Sequence, residues 1–164
     1  MNRPSIYVGT YAKYNNGSLF GEWVDLTKYS NIDEFYDYCR KLHNDEDDPE
    51  LMFQDYENFP DGYITESYLN PAIFEVLEEL DTNYYEDFCN FIAYFGKDAT
   101  VEEFRDFYVG HYDSEEDFAY ELVEQIATKD VPDFYLRYFD YKAYARDLFM
   151  DGYVFIDSIV YHSY

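Results

Sequence analysis

The chain has 164 residues, 23% of them aromatic, and sets 36 Asp and Glu against 11 Lys and Arg for a formal charge of −25. So much ring surface excludes a disordered acidic chain, which is poor in aromatics. So little positive charge excludes ordinary nucleic-acid binding, which relies on Lys and Arg to neutralise phosphates.

Residues 5–12, SIYVGTYA, are β-rich; Asn16-Gly17 signals a hairpin turn, and SLFGEWVDL returns as the partner strand. A helix follows Ser30 or Asn31, with Ile32, Phe35, Tyr36, Cys39 and Leu42 on one face. After the acidic run HNDEDDPE (43–50), ELMFQDY reads as a further strand. The middle of the chain is helical. Asn70 caps a helix with Pro71 at its first position, and Ile73, Phe74, Leu77 and Leu80 form its apolar stripe. Tyr84, Phe88, Phe91, Ile92 and Phe95 form the next stripe, ended by Gly96. Thr100 and Glu103 make a capping box before Phe104 and Phe107. Ser114 and Asp117 start another helix with Phe118, Leu122 and Ile126 inward. DFYLRYFDYKAYARDLF reads as helix, and DGYVFIDSIVYHSY as strand. The fold expected is α+β, an elongated chain of three small units: an α+β unit over 1–60, a helical unit over 61–103 and an α+β unit over 104–164.

The N-terminus lacks the apolar run of a signal peptide, and no 18 consecutive residues are apolar, so a soluble cytoplasmic protein is expected. Cys39 and Cys89 sit among apolar helical residues and are expected as buried free thiols.

Charge is partitioned along the chain. Residues 1–41 hold five acids and five bases, residues 42–128 hold 25 acids against Lys97 and Arg105, and residues 129–164 hold six acids and four bases. From Leu42 to Gly96 there is no Lys or Arg. On the helix that follows Tyr112, Asp113, Asp117, Glu121 and Glu124 fall within about 80° of one another, opposite Phe118 and Leu122. Like charges spaced four apart on a helix cost roughly 0.2–0.5 kcal/mol per pair, so selection for stability alone would place Lys among them.

Chemical motifs are sparse. HNDEDDPE lacks the spacing of a calcium loop, since Pro49 and Glu50 stand where a carboxylate and Gly are needed. The three histidines, His43, His111 and His162, form no metal or catalytic motif, and no phosphate loop or cofactor fingerprint is present. Asp133, Asp140 and Lys142 give a loose match to Mg²⁺-dependent nucleases, which the central negative charge opposes. Phe134, Tyr135, Tyr138, Phe139, Tyr141 and Tyr144 serve either as core or as an oligomer interface.

B-DNA carries about one charge per 1.7 Å of axis, so the net charge of residues 42–128 corresponds to roughly 39 Å of duplex, a little over one turn. Carboxylates fixed on a rigid scaffold at that density imitate a phosphate backbone and carry no base information. The carriers expected are Asp45, Glu46, Asp47, Asp48, Glu50, Glu75, Glu78, Glu79, Glu86, Asp87, Glu102, Glu103, Asp106, Asp113, Glu115, Glu116, Asp117, Glu121 and Glu124.

Tyr7-Val8-Gly9-Thr10-Tyr11-Ala12, Tyr14 to Gly17, Gly21 to Asp25, Gln54 to Pro60, Val101 to Phe104 and Tyr112 to Ala119 stand in an order and spacing that resemble the ArdA antirestriction proteins of bacterial mobile elements. The resemblance implies a non-enzymatic inhibitor of type I restriction–modification enzymes, working in the bacterial host as a homodimer joined through its C-terminal unit. It implies three small units in a curved line, no cofactor, and occupation of the target's DNA-binding cleft rather than binding to DNA. The acids that match the family's motif region are Glu102, Glu103, Asp113, Glu115, Glu116 and Asp117. A salt-adapted structural protein is the remaining rival; it would spread its acids evenly, which this chain does not do.

Overall fold

Ile6 and Val8 alternate with Ser5 and Tyr7, and in the computed structural model, which describes residues 3–126 and 133–163, both lie fully buried on strand β1 (Ser5–Thr10). β1 is the middle strand of an antiparallel sheet of order β2-β1-β3, with β2 at Glu22–Asp25 and β3 at Leu51–Glu57. Val24, Met52 and Phe53 add to the buried face. Helix α2 (Ile32–Leu42) closes it with Phe35 and Cys39. Asn31 caps α2 by accepting from the Glu34 amide, and Glu34 reaches back to the Ser30 amide.

The expected hairpin turn at Asn16-Gly17 is a helix end instead. Thr10 accepts from the Lys13 amide and starts a short helix, α1 (Tyr11–Asn15). Gly17, at φ 79°, donates to the Tyr14 carbonyl while Ser18 donates to that of Lys13. That pair of bonds closes the helix with a left-handed residue, so the Asn-Gly signal marks a change of direction of another kind. Gly21 then enters β2 under the β1 backbone. A Cβ there would lie 2.5 Å from the Val8 carbonyl oxygen and 2.8 Å from the Tyr7 ring. Gly21→Ala is expected to destabilise this unit by about 1–3 kcal/mol; an unchanged urea midpoint, read from the Trp23 fluorescence, would count against this packing.

Beyond β3, Tyr63 and Ile64 turn inward and Ile64 bridges Leu69. Asn70 accepts from the Ala72 amide, as a cap with Pro71 behind it, and α3 (Ala72–Glu79) buries Ile73, Phe74 and Val76. Asp81 accepts from the Asn83 and Tyr84 amides and begins α4 (Thr82–Phe95). The inward set of α4 is Tyr85, Phe88, Phe91 and Ile92; Tyr84, expected inward, is 44% exposed. Tyr85 donates to the Asn58 carbonyl at 2.8 Å, a bond that draws this ring rather than its neighbour into the core. Cys39 and Cys89 are free, and burial pushes both thiols up to about 12.

The chain gathers into two compact units, Met1–Val101 and Glu102–Tyr164. In the second, α5 (Val101–Phe107) runs into β4 (Tyr108–His111), a strand the sequence did not announce. A sheet of order β4-β6-β5 is completed by β5 (Tyr153–Ile156) and β6 (Ile159–His162). The tail expected as one strand is thus a hairpin: Asp157 and Ser158, at φ 49° and 65°, make its two-residue turn. The tail helix is likewise broken, into α7 (Asp133–Leu136) and α8 (Tyr141–Asp151), because Asp140 accepts from the Ala143 amide and starts a new helix. Helix α6 (Glu115–Ile126) packs on α8 through Phe118, Ala119 and Val123. Ile126, expected inward, is 58% exposed.

Candidate functional site: an acidic surface

The acidic run begins on a buried group. His43 ends α2 fully buried, and its Nε2 faces the Val8 carbonyl at 3.3 Å. Lys13 reaches in from α1. Its ammonium lies 3.1 Å from His43 Nδ1, 2.7 Å from Asp45 and 3.0 Å from Glu46, with the Phe20 ring 5.2 Å away. An ammonium donating to Nδ1 leaves the proton of a neutral imidazole on Nε2, where it meets the carbonyl. Thr10 adds a 2.7 Å hydrogen bond to Glu46.

The ligand atoms of His43, Asp45 and Glu46 lie within 4.8 Å of one another, the spacing of a cation cage. The cation in it is the chain's own Lys13. Burial lowers the Lys13 pKa, but its bonds to Asp45 and Glu46 outweigh that and hold it raised. The bond from Lys13 lowers the Asp45 pKa, and the one from Thr10, helped by Lys13 against burial, lowers that of Glu46. The His43 pKa is lowered, first by burial and then by the Lys13 charge, against the pull of Val8, Glu46 and Asp45. Below its ordinary value near 6.5 an unfolded His43 takes a proton that the folded one refuses. Its contribution to stability is therefore complete above that pH and is lost as pH falls. The stability advantage of the wild type over His43→Gln is expected to shrink between pH 7.5 and pH 5; an advantage independent of pH would sink the assignment.

Asp47, Asp48 and Glu50 lie beyond this clasp and are exposed. So are Glu75, Glu78 and Glu79 on α3, Glu86 on α4, Glu102 and Asp106 on α5, and Asp113 before α6. Helix α6 adds Glu115, Glu116, Asp117, Glu121 and Glu124, all exposed. Glu46 and Glu103 are half-buried. Asp87 is a correction: at 5% exposure it lies inside the first unit, next to the inward-facing Phe88, and offers no surface charge. The α6 stripe also changes in detail. Ser114 donates to Asp117 Oδ2 at 2.6 Å and accepts from the Asp117 amide, so the helix starts after Asp113. Asp117, Glu121 and Glu124 form the helical row, and Asp113 precedes it.

Asp55, Glu57, Asp61, Glu66, Asp81 and Asp98, not among the carriers expected, are also exposed and lie in the same acid-rich stretch. Membership of the stretch with no Lys or Arg between Leu42 and Gly96 would have found all but Asp98. Tyrosines here hold carboxylates as Lys would, without cancelling the charge: Tyr11 donates to Glu66 at 2.8 Å and Tyr38 to Glu22 at 2.9 Å.

Among the aromatics near the C-terminus, Phe134, Tyr135, Tyr138 and Phe139 are 59%, 64%, 76% and 39% exposed, so they are not core of this chain. Phe134 touches the rings of both Tyr135 and Tyr138. Tyr141 and Tyr144 are half-buried. Of the nuclease-like set, Asp140 is spent as the α8 cap, Lys142 is exposed, and the side chain of Asp133 lies outside the described residues.

The family model described as antirestriction protein (ArdA) matches residues 6–161, nearly the whole chain. The chain belongs to the ArdA antirestriction family. That membership makes it an inhibitor of type I restriction enzymes, which are its partners. No curated protein matches the chain. The match extends past residue 129 through α8 and into the β5–β6 hairpin. Among the described residues no helix is long and apolar enough to cross a membrane.

Proposed function

We propose that this ArdA-family chain inhibits type I restriction–modification enzymes without catalysis, by filling their DNA-binding cleft as a mimic of duplex DNA. The observation that carries the reading is the exposed carboxylates, on α3 and α4 in the first unit and on α5 and α6 in the second, within a stretch holding 25 acids and two bases. Carboxylates on helices keep fixed spacings, and a cleft lined by Lys and Arg attracts them at long range. Because the acids imitate the phosphate backbone alone, inhibition is blind to the target's recognition sequence. The exposed rings of Phe134, Tyr135, Tyr138 and Phe139 support a homodimer joined there, with Tyr141 and Tyr144 at its margin. Division of the first unit near residue 60, giving three small units in line, belongs to the same proposal, as does action in the bacterial cytoplasm.

The test is a cleavage assay with a purified type I enzyme and DNA at low salt. Stoichiometric protein should stop cleavage, excess DNA should restore it, and rising salt should weaken inhibition as screening increases. Cleavage that persists at stoichiometric protein would falsify the reading. Mimicry also needs an elongated particle, so small-angle scattering that reports a compact sphere would exclude it.

A further inference from the structure

The outward face of α6 is not purely acidic. Tyr120 lies among its carboxylates, 50% exposed, with Glu116 one turn before it and Glu124 one turn after. Along the helix axis the Cα atom of each is about 6 Å from that of Tyr120. Among the described helices, this is the tyrosine that has Glu at both of those positions. Tyr141 packs against the Tyr120 ring at 5.1 Å between centroids, tilted 47°, and so fixes it from one side. The Gln125 amide donates to Glu121 at 2.9 Å and turns that carboxylate along the helix. A half-open ring, steadied by a second ring and flanked by anions, matches one side chain better than any other.

Resting on the inhibitor reading above, we infer that Tyr120, with Glu116 and Glu124, is a docking seat for an arginine of the partner enzyme. A guanidinium is planar and weakly hydrated; it stacks on a phenol ring and turns its N–H fork to a carboxylate at the same time. An ammonium is a compact, strongly hydrated point charge and gains little from the ring. The negative neighbourhood of the ring also shows in its phenol, whose pKa is raised, first by the Glu124 charge. The charge on α6 supplies attraction, and Tyr120 supplies discrimination between arginine and lysine. An aromatic anchor of this kind is where interfaces concentrate their energy, with the surrounding charges contributing less per residue.

Two measurements on the full chain test this. In the first, hexa-arginine and hexa-lysine peptides are added at low salt and the Tyr120 ring protons, identified against Tyr120→Phe, are followed by NMR. Hexa-arginine is expected to move them at least about twice as far as hexa-lysine of equal charge; equal movement overturns the seat. In the second, variants are compared as inhibitors of a type I enzyme. Tyr120→Ala should raise the half-inhibiting concentration about tenfold, while Tyr120→Phe stays within about twofold. The salt dependence should be that of the wild type, since no charge is lost. An unchanged Tyr120→Ala overturns the seat. If the wild type fails to inhibit, the inhibitor reading falls, and the peptide measurement still decides whether the arginine seat exists.

Discussion

Replacing Asp113, Asp117, Glu121 and Glu124 together by Asn and Gln is expected to weaken inhibition of a type I enzyme by about a hundredfold at low salt. Asp117→Asn alone should change it by no more than about fivefold. An exposed ion pair contributes about 0.2–1 kcal/mol, so one loss is small and four losses together reach roughly 1–4 kcal/mol. A salt series separates charge from shape. Each lost contact to a cationic side chain should lower the slope of log affinity against log salt by about one. The variant should fold no worse than the wild type. Asp117 and Glu121 repel each other at i,i+4, and Glu124 stands near the negative end of α6, whose last turn holds no basic residue. Removing the charges at 121 and 124 therefore relieves the helix, while the loss of Asp117 near the positive end costs about 0.3–1 kcal/mol. Reduced inhibition with an unchanged or raised Tm marks carboxylates kept for a partner. Full inhibition by the four-site variant would remove α6 from the binding surface.

How far the sequence foretold this arrangement depends on what fixes each piece. Caps were legible, because a short polar side chain next to an apolar run has few other uses: Asn31, Asn70 and Ser114 each start a helix where expected. The α2 face was legible from period alone. Pieces defined by distant partners were not. β4 is four residues long and exists through its pairing with β6, which lies far along the chain. The tail looked like one helix and one strand because tyrosine and phenylalanine suit both. Asp140 and the Asp157-Ser158 turn, two short polar interruptions, decide the breaks. Of the acidic surface, most positions were readable, since a carboxylate without a counter-ion is rarely buried. Asp87, 5% exposed, is not on that surface. The Lys13 clasp was invisible: nothing in HNDEDDPE announces that a lysine 30 residues before His43 folds back into it.

Phe118→Ala is expected to cost about 3–5 kcal/mol, the range for removing a large buried ring. Phe118 is 3% exposed and meets Tyr112 at 5.0 Å, Phe149 at 5.7 Å and Tyr153 at 4.8 Å, so α6, α8 and the β5 edge of the sheet all converge on one ring. At about 0.05–0.15 kcal/mol per residue, the unit Glu102–Tyr164 holds roughly 3–9 kcal/mol in total, and the substitution takes much of it. The single tryptophan, Trp23, lies in the other unit and gives an internal control. In urea, the far-ultraviolet signal of α6 and α8 should be lost early in the variant while the Trp23 transition keeps its midpoint. Inhibition should fall even though the formal charge is still −25. Charge count and charge placement are thereby separated: the variant keeps every carboxylate and loses the frame that spaces them. A variant that inhibits fully, with its second unit unfolded, would mean that the acids act as a loose polyanion and that the helices of this fold contribute nothing to recognition.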